Sequence, residues 1–213
     1  MGIFDDMEPA KAVSMIAPSY FKPRTLADLV ASCAMVAQAA PRTPFYYYDI
    51  PGMTGISGFP VDEFLKAASP VIPNLAGVKY SNPDLDAMRR AQALEGGRFD
   101  LPYGIDERFL AALRAGATAG VGSTYNFNPG PLLRTIAAQA KGDATQAEAE
   151  QAKVQPVVDI LAKRGYMGAA KALMGHLGVP LGPARLPNGN PDATETKQML
   201  GELEAIGFFS WNF

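Results

Sequence analysis

Residues 74–81 read Asn-Leu-Ala-Gly-Val-Lys-Tyr-Ser (NLAGVKYS), and the fold is decided by how this stretch is read. Its centre, 76–80, is a short apolar run of strand-forming character, and the residues that follow, 84–95, carry helical periodicity. A strand that buries its side chains has no obvious place for Lys79. The ordinary resolution is a long side chain that carries its ammonium out to water. The chemical alternative is a lysine desolvated among apolar side chains, which favours the free amine, and a free amine attacks ketones.

Outward from 76–80 the same alternation repeats. Strands are expected at 12–17, 44–50, 76–80, 99–103 and 119–123, with helices between them at 25–39, 61–68, 84–95 and 107–115. Strands alternating with amphipathic helices are the signature of βαβ units, so the class is α/β with a parallel sheet. After residue 123 the pattern becomes all-helical: 131–141, 145–163 and 167–177, then the Pro/Gly-rich "GVPLGPARLPNGNP", then 194–206. Asp143 or Thr145 supplies the N-cap of the 145–163 run. With no low-complexity linker and no short-period repeat, one domain spanning 1–213 is expected, with β/α units over 12–141 and a helical extension over 142–213.

The composition narrows the function. The chain has 213 residues, 48% hydrophobic, with 19 basic against 21 acidic residues, which gives no electrostatic footprint for nucleic acid. No apolar run reaches the roughly 18 residues of a membrane span. The opening "MGIFDDMEPAK" has no basic-then-apolar leader, and Asp6 stands where a myristoylation signal needs Ser or Thr, so a cytoplasmic location is expected. Cys33 and His176 are the only residues of their types, which excludes a disulfide framework, a Cys/His zinc site and a Ser-His-Asp triad. Both fall in helical runs and read as packing or surface residues. Small molecules are the expected ligands, and proton transfer falls to Tyr, Lys, Asp, Glu, Ser or Thr.

In parallel α/β folds the carboxyl ends of the strands carry ligand sites. Here those ends are polar: Ser19-Tyr20, Tyr48-Asp49, Lys79-Tyr80-Ser81, Gly104 to Glu107, and Ser123 to Asn126. In "PFYYYDIPG" alternation puts Tyr46 and Tyr48 on one face and Tyr47 on the other. Three tyrosines in a strand also suit packing, with hydroxyls bonded at the rim. Schiff-base formation by Lys79 would turn a substrate carbonyl carbon into an electron sink, and a tyrosine on the neighbouring strand, Tyr48, could move the proton that such chemistry requires. Asp106 and Glu107 suit either the start of a helix or a ligand contact. "GVGST" lacks the lysine of a P-loop.

These stretches resemble a known family. "FYYYDIPGMTG", "AGVKYSNPDL", "GGRFDLPYGIDE", "GATAGVGSTYN" and "GPARLP" occur in the order and spacing of the N-acetylneuraminate lyase subgroup of the dihydrodipicolinate synthase/N-acetylneuraminate lyase superfamily, over about residues 12–206. The resemblance implies a class I aldolase that cleaves N-acetylneuraminate to pyruvate and N-acetylmannosamine. It assigns the Schiff base to Lys79, proton transfer to Tyr48, and the hydroxyl two beyond the lysine to Ser81. Gly104, Asp106, Glu107 and Ser123 match the positions that hold the sugar-acid tail, and Tyr20 matches a tyrosine that reaches a neighbouring subunit's site. Met53, where the synthases usually have arginine, disfavours a synthase. No cofactor beyond the lysine imine is implied, and the expected assembly is a homotetramer.

Two features depart from that family's pattern. Asp49 replaces the Asn or His usual after the tyrosine. Family members form a complete (β/α)8 barrel, and the strands here correspond to strands 4 to 8, a partial TIM barrel followed by C-terminal helices. The segment before them normally carries a Gly-x-Thr/Ser-Gly-Glu loop for the pyruvyl carboxylate. Two alternatives stand beside the lyase: another family aldolase, acting on a 2-keto-3-deoxy sugar acid or synthase-like, and a non-catalytic chain that acts only as an interaction partner.

Overall fold

A computed structural model describes residues 10–212 of the chain; Asp6, read above against a lipidation signal, lies outside them. The chain divides into two compact units.

The first unit comprises the residues up to Ile105 together with Ala115–Gly120. It contains β1 (Val13–Ile16), α1 (Leu26–Gln38), β2 (Phe45–Asp49), α2 (Pro51–Thr54), α3 (Val61–Ala68), β3 (Leu75–Tyr80) and α4 (Leu85–Gln92). The three strands form one parallel sheet in the order β1-β2-β3, as the alternation with helices demands. Thr25 starts α1 through a capping box with Asp28, and Asp84 caps α4 through the Ala87 amide, each satisfying backbone donors that the first turn leaves open. The short α2 has no long apolar period and was not expected from the sequence.

Beyond β3 the parallel pairing continues only as isolated bridges, Gly77 to Asp100, Tyr80 to Tyr103 and Tyr103 to Gly120. The expected strands at 99–103 and 119–123 therefore do not form regular ladders. Pro102 has no N–H to give to a ladder, and the 116–122 segment is rich in glycine, which packs nothing against a sheet.

The two faces of the sheet differ. Along β2, Phe45, Tyr47 and Asp49 are buried while Tyr46 and Tyr48 are half-buried, the alternation of a strand covered on one side. The covered side packs on α1 and α3: Cys33 and Phe64 are fully buried, and the rings of Tyr47 and Phe64 lie 4.5 Å apart. Each large side chain sealed there contributes about 1.5 to 3 kcal/mol. Across this helix layer Arg90 of α4 donates two hydrogen bonds to the buried carboxylate of Asp62 on α3, at 3.0 and 3.1 Å.

Strand β3 breaks its own alternation. Its register against β2 runs Phe45 to Leu75, then Tyr46 to Gly77, so one extra residue of β3 is accommodated at that point. From there Val78 and Tyr80 face the helices and Lys79 faces the other way, opposite Tyr48. An inserted residue changes which face every later side chain takes. Gly77 is where this happens, because a Cβ there would lie 1.9 Å from the Asp100 carbonyl oxygen.

The second unit holds Asp106–Arg114 and the residues from Val121 on. A 3-10 turn, Asp106–Arg108, leads into α5 (Phe109–Arg114), and a second, Thr124–Asn126, precedes α6 (Pro129–Ala140), α7 (Ala144–Gln151), α8 (Val154–Ala162), α9 (Tyr166–His176), α10 (Ala193–Ala205) and α11 (Phe208–Asn212). Asp143 is the cap of α7. The single helix expected over 145–163 is two helices, α7 and α8. Pro156 explains the break, since its ring and missing N–H are tolerated only in the first turn of a new helix. Val157, Leu161, Leu173, Met199, Leu203 and Phe208 form the centre of this unit's core. Among the described residues no helix is long and apolar enough to cross a membrane.

Gly77→Ala should lower the unfolding free energy by about 2 kcal/mol or more, because the backbone carbonyl of Asp100 has to move for the methyl group. Urea denaturation reads the difference, and a wild-type midpoint would contradict the close packing at residue 77.

Candidate active site

In the first unit, Ile16, Tyr48 and Lys79 are register partners on adjacent parallel strands. Their side chains therefore stand in a row on the face away from the helices. The Lys79 Nζ lies 4.1 Å from the centroid of the Tyr48 ring, within the range of a cation–π contact. Ser81, the first residue beyond β3, is buried; its amide donates to the Asp49 carbonyl at 2.8 Å, and its hydroxyl lies 3.5 Å from the Tyr48 hydroxyl, the outer limit of a hydrogen bond. An amine, a phenol and a hydroxyl are thus gathered at one strand edge.

Tyr46 shares the face of Tyr48, as alternation required, and donates to Asp100 Oδ2 at 3.2 Å. Burial and then the Asp100 charge raise its pKa. Gly104 is half-buried and its amide donates to the Tyr80 carbonyl at 2.9 Å. Tyr20 stands apart from this group: it is 90% exposed and meets Phe21 edge-on at 4.9 Å. Met53 is also exposed.

Asp49 lies on the opposite face from Tyr48, among the helices, and is 6% exposed. Its carboxylate accepts a hydrogen bond from Asn82 Nδ2 at 2.9 Å. Burial pushes its pKa up to about 6, and the Asn82 bond opposes that rise. Its negative charge adds to burial in holding Tyr47 and Tyr80 protonated. The charge at position 49 therefore acts on the helix side of the sheet.

In the second unit Asp106 is buried and turned into its own loop. Its carboxylate accepts from the Thr124 amide at 3.0 Å and from the Thr124 hydroxyl. Gly122 leaves room for it, since a Cβ there would sit 1.7 Å from Asp106 Oδ1. Glu107 is half-buried in the same turn. Ser123 is exposed, and its hydroxyl lies 2.8 Å from that of Tyr166. Tyr166 was not found by sequence reasoning; it opens α9, more than forty residues on, and no motif marks it. Burial raises its pKa, and the Ser123 bond works against that shift. Among the described residues no cluster of three or more His, Cys, Asp or Glu could hold a metal ion.

Comparison with known proteins gives a consistent set of relatives. Residues 7–206 match the Dihydrodipicolinate synthetase family. The chain is 39% identical over 200 residues to the N-acetylneuraminate lyase of Gallus gallus, a match covering 92% of this chain and 65% of that protein. It is 34% identical over 205 residues to that of Rattus norvegicus, covering 95% and 64%. Among solved structures, Proteus mirabilis N-acetylneuraminate lyase superposes with a TM-score of 0.88 at 37% identity, covering 93% of this chain and 66% of that one. N-acetylneuraminate lyase (sialic acid aldolase) from Aliivibrio salmonicida gives 0.87 at 36%, covering 92% and 65%. The chain spans 65% and 64% of the length of the two curated relatives.

The buried Asp49 has a consequence for stability. Its folded pKa of about 6 lies above the ordinary 3.8, so its contribution is fully favourable below the ordinary value and is lost as pH rises through about 6. Asp49→Asn should match the wild type near pH 4 and exceed its unfolding free energy by about 2 to 3 kcal/mol above pH 7. Urea denaturation at the two pH values measures this, and an equal gap at both would contradict the assignment.

Proposed function

The chain belongs to the dihydrodipicolinate synthetase family, and we propose that it carries the Schiff-base aldolase site of an N-acetylneuraminate lyase. The observation that carries this reading is the pairing of Lys79 with Tyr48: an amine 4.1 Å from the ring of a tyrosine on the adjacent parallel strand, with the Ser81 hydroxyl beside the phenol. On this reading the amine attacks the ketone carbon of the sugar acid, and loss of water gives an iminium. The iminium draws electrons as the bond between the next two carbons breaks. Tyr48 takes the proton of the hydroxyl that becomes the aldehyde and later returns a proton to the enamine. Hydrolysis then frees pyruvate and the amine, with N-acetylmannosamine as the other product.

The same reading makes the sheet and the bridges beyond it strands 4 to 8 of a (β/α)8 barrel, with Lys79 and Tyr48 facing its interior. Parallel order and the likeness to longer solved lyases support it. Gly104, Asp106, Glu107 and Ser123 would serve the polyhydroxyl tail, Glu107 and Ser123 by direct contact and Asp106 by holding the 122–124 turn through Thr124. Tyr20 would reach a second subunit of a homo-oligomer, a role that suits its exposure. No cofactor beyond the lysine imine is required.

Borohydride reduction in the presence of pyruvate, followed by peptide mass mapping, tests the site. A reduced pyruvyl adduct is expected on Lys79 and absent from Lys79→Ala. Tyr48→Phe should keep the adduct while slowing sialic acid cleavage by about 100-fold or more. An unmodified Lys79 in a folded sample would refute the Schiff base, and faster cleavage of 2-keto-3-deoxy sugar acids than of sialic acid would reassign the substrate.

A further inference from the structure

The carboxyl ends of β2 and β3 are tied together by Asp49 alone of the two strands' charged residues that face the helices. Its carbonyl accepts from the Ser81 amide at 2.8 Å and its side chain accepts from Asn82 Nδ2 at 2.9 Å. Asn82 Oδ1 accepts in turn from the Asp84 amide at 3.1 Å, and Asp84 caps α4 through the Ala87 amide at 2.9 Å. The Tyr80 hydroxyl donates to the Asp84 carbonyl at 2.6 Å. Ser81 sits inside this chain of bonds, and its hydroxyl is the one beside Tyr48. The Asp49 carboxylate has no ion-pair partner among the described residues, so Asn82 is its compensation for burial.

We propose that Asp49 is a positioning residue: through Asn82 it latches the 81–84 loop across the ends of β2 and β3, and so holds the Ser81 hydroxyl against Tyr48. The inference rests on the reading of Lys79 and Tyr48 as the reacting pair. Asp49 itself touches no reacting atom, because its side chain lies on the other face of the sheet.

The latch is graded by pH. The Asp49 charge acts on the phenols of Tyr47 on β2 and Tyr80 on β3; the other groups that act on those phenols are Cys33 on α1 for Tyr47, and Asp84 at the start of α4, Tyr103, and Asp62 on α3 with its partner Arg90 for Tyr80. Burial holds both phenols protonated and pushes the thiol up to about 12, so none of these three changes charge near neutrality. Asp49, at about 6, does. Loss of its proton turns the Asn82 bond into a charge-assisted one, which is shorter and stronger. Turnover should therefore rise with pH through about 6.

The test compares Asp49→Asn, Asp49→Ala, Asn82→Ala and the Asp49→Ala/Asn82→Ala double variant in the full chain. Either alanine variant should lower turnover about tenfold with KM little changed. The double variant should lose no more than either single one, the mark of one shared interaction. Asp49→Asn, which keeps the shape, should lose the inflection near 6. Hydrogen exchange at the Ser81 amide should quicken in both alanine variants. Additive losses, an unchanged inflection in Asp49→Asn, or unchanged Ser81 exchange would each overturn the latch. Pyruvate trapping on wild-type Lys79 judges the site separately: if trapping fails, that reading falls, and Ser81 exchange still decides the latch.

Discussion

Everything assigned to the first unit depends on one extra residue in β3. Strict alternation from Leu75, which faces the helices, would turn Lys79 toward the helices and Val78 toward Tyr48. The register shift opposite Phe45 and Tyr46 reverses this, so Val78 is sealed at 0% exposure and Lys79 meets Tyr48. Two hydrophobic gains enforce the reversed order, since Val78 and Tyr80 are both lost to water otherwise. Gly77 makes it sterically possible by letting the Asp100 carbonyl approach where a side chain would stand. The position of the amine is thus a consequence of packing on the far side of the strand.

That arrangement separates two kinds of charge. Lys79 and Tyr48 lie on the face where polar groups can meet a small molecule, while Asp49, the next residue along β2, lies among apolar side chains. A carboxylate in that position costs stability at neutral pH, and the cost is offset only in part by Asn82. Asparagine would pack there without charge. The carboxyl stands where the resembled family has Asn or His, and in the latch proposed above it binds the loop carrying Ser81 more strongly than a neutral pair would. Asp106 in the second unit is comparable: one oxygen of a buried carboxylate accepts both bonds from a neighbouring turn, and Gly122 leaves room for the other.

Much of this was legible in the sequence. The α/β alternation, the helices at 61–68 and 167–177 within a residue, and the shared face of Tyr46 and Tyr48 all follow from hydrophobic period. The family followed from short motifs whose order is far more restrictive than any one of them. What escaped was set by tertiary contact. The ladders expected at 99–103 and 119–123 dissolve into isolated bridges where proline and glycine withhold donors and side chains. The division of 145–163 was visible in Pro156 but outweighed by the helix-forming run around it. The Ser123–Tyr166 pair has no sequence signal, because nothing local brings residues so far apart together. Nor could the effect of Asp49 be signed until its face of the strand was known.

Cys33, the single cysteine of the chain, is fully buried in α1, and burial pushes its thiol up to about 12. It lies under the side of β2 that carries Tyr47, whereas Lys79 and Tyr48 occupy the reverse. The sheet therefore carries a buried thiol on one side and a primary amine on the other. Cys33 can meet a thiol reagent only where the helix layer opens, whereas the Lys79 side needs no such opening.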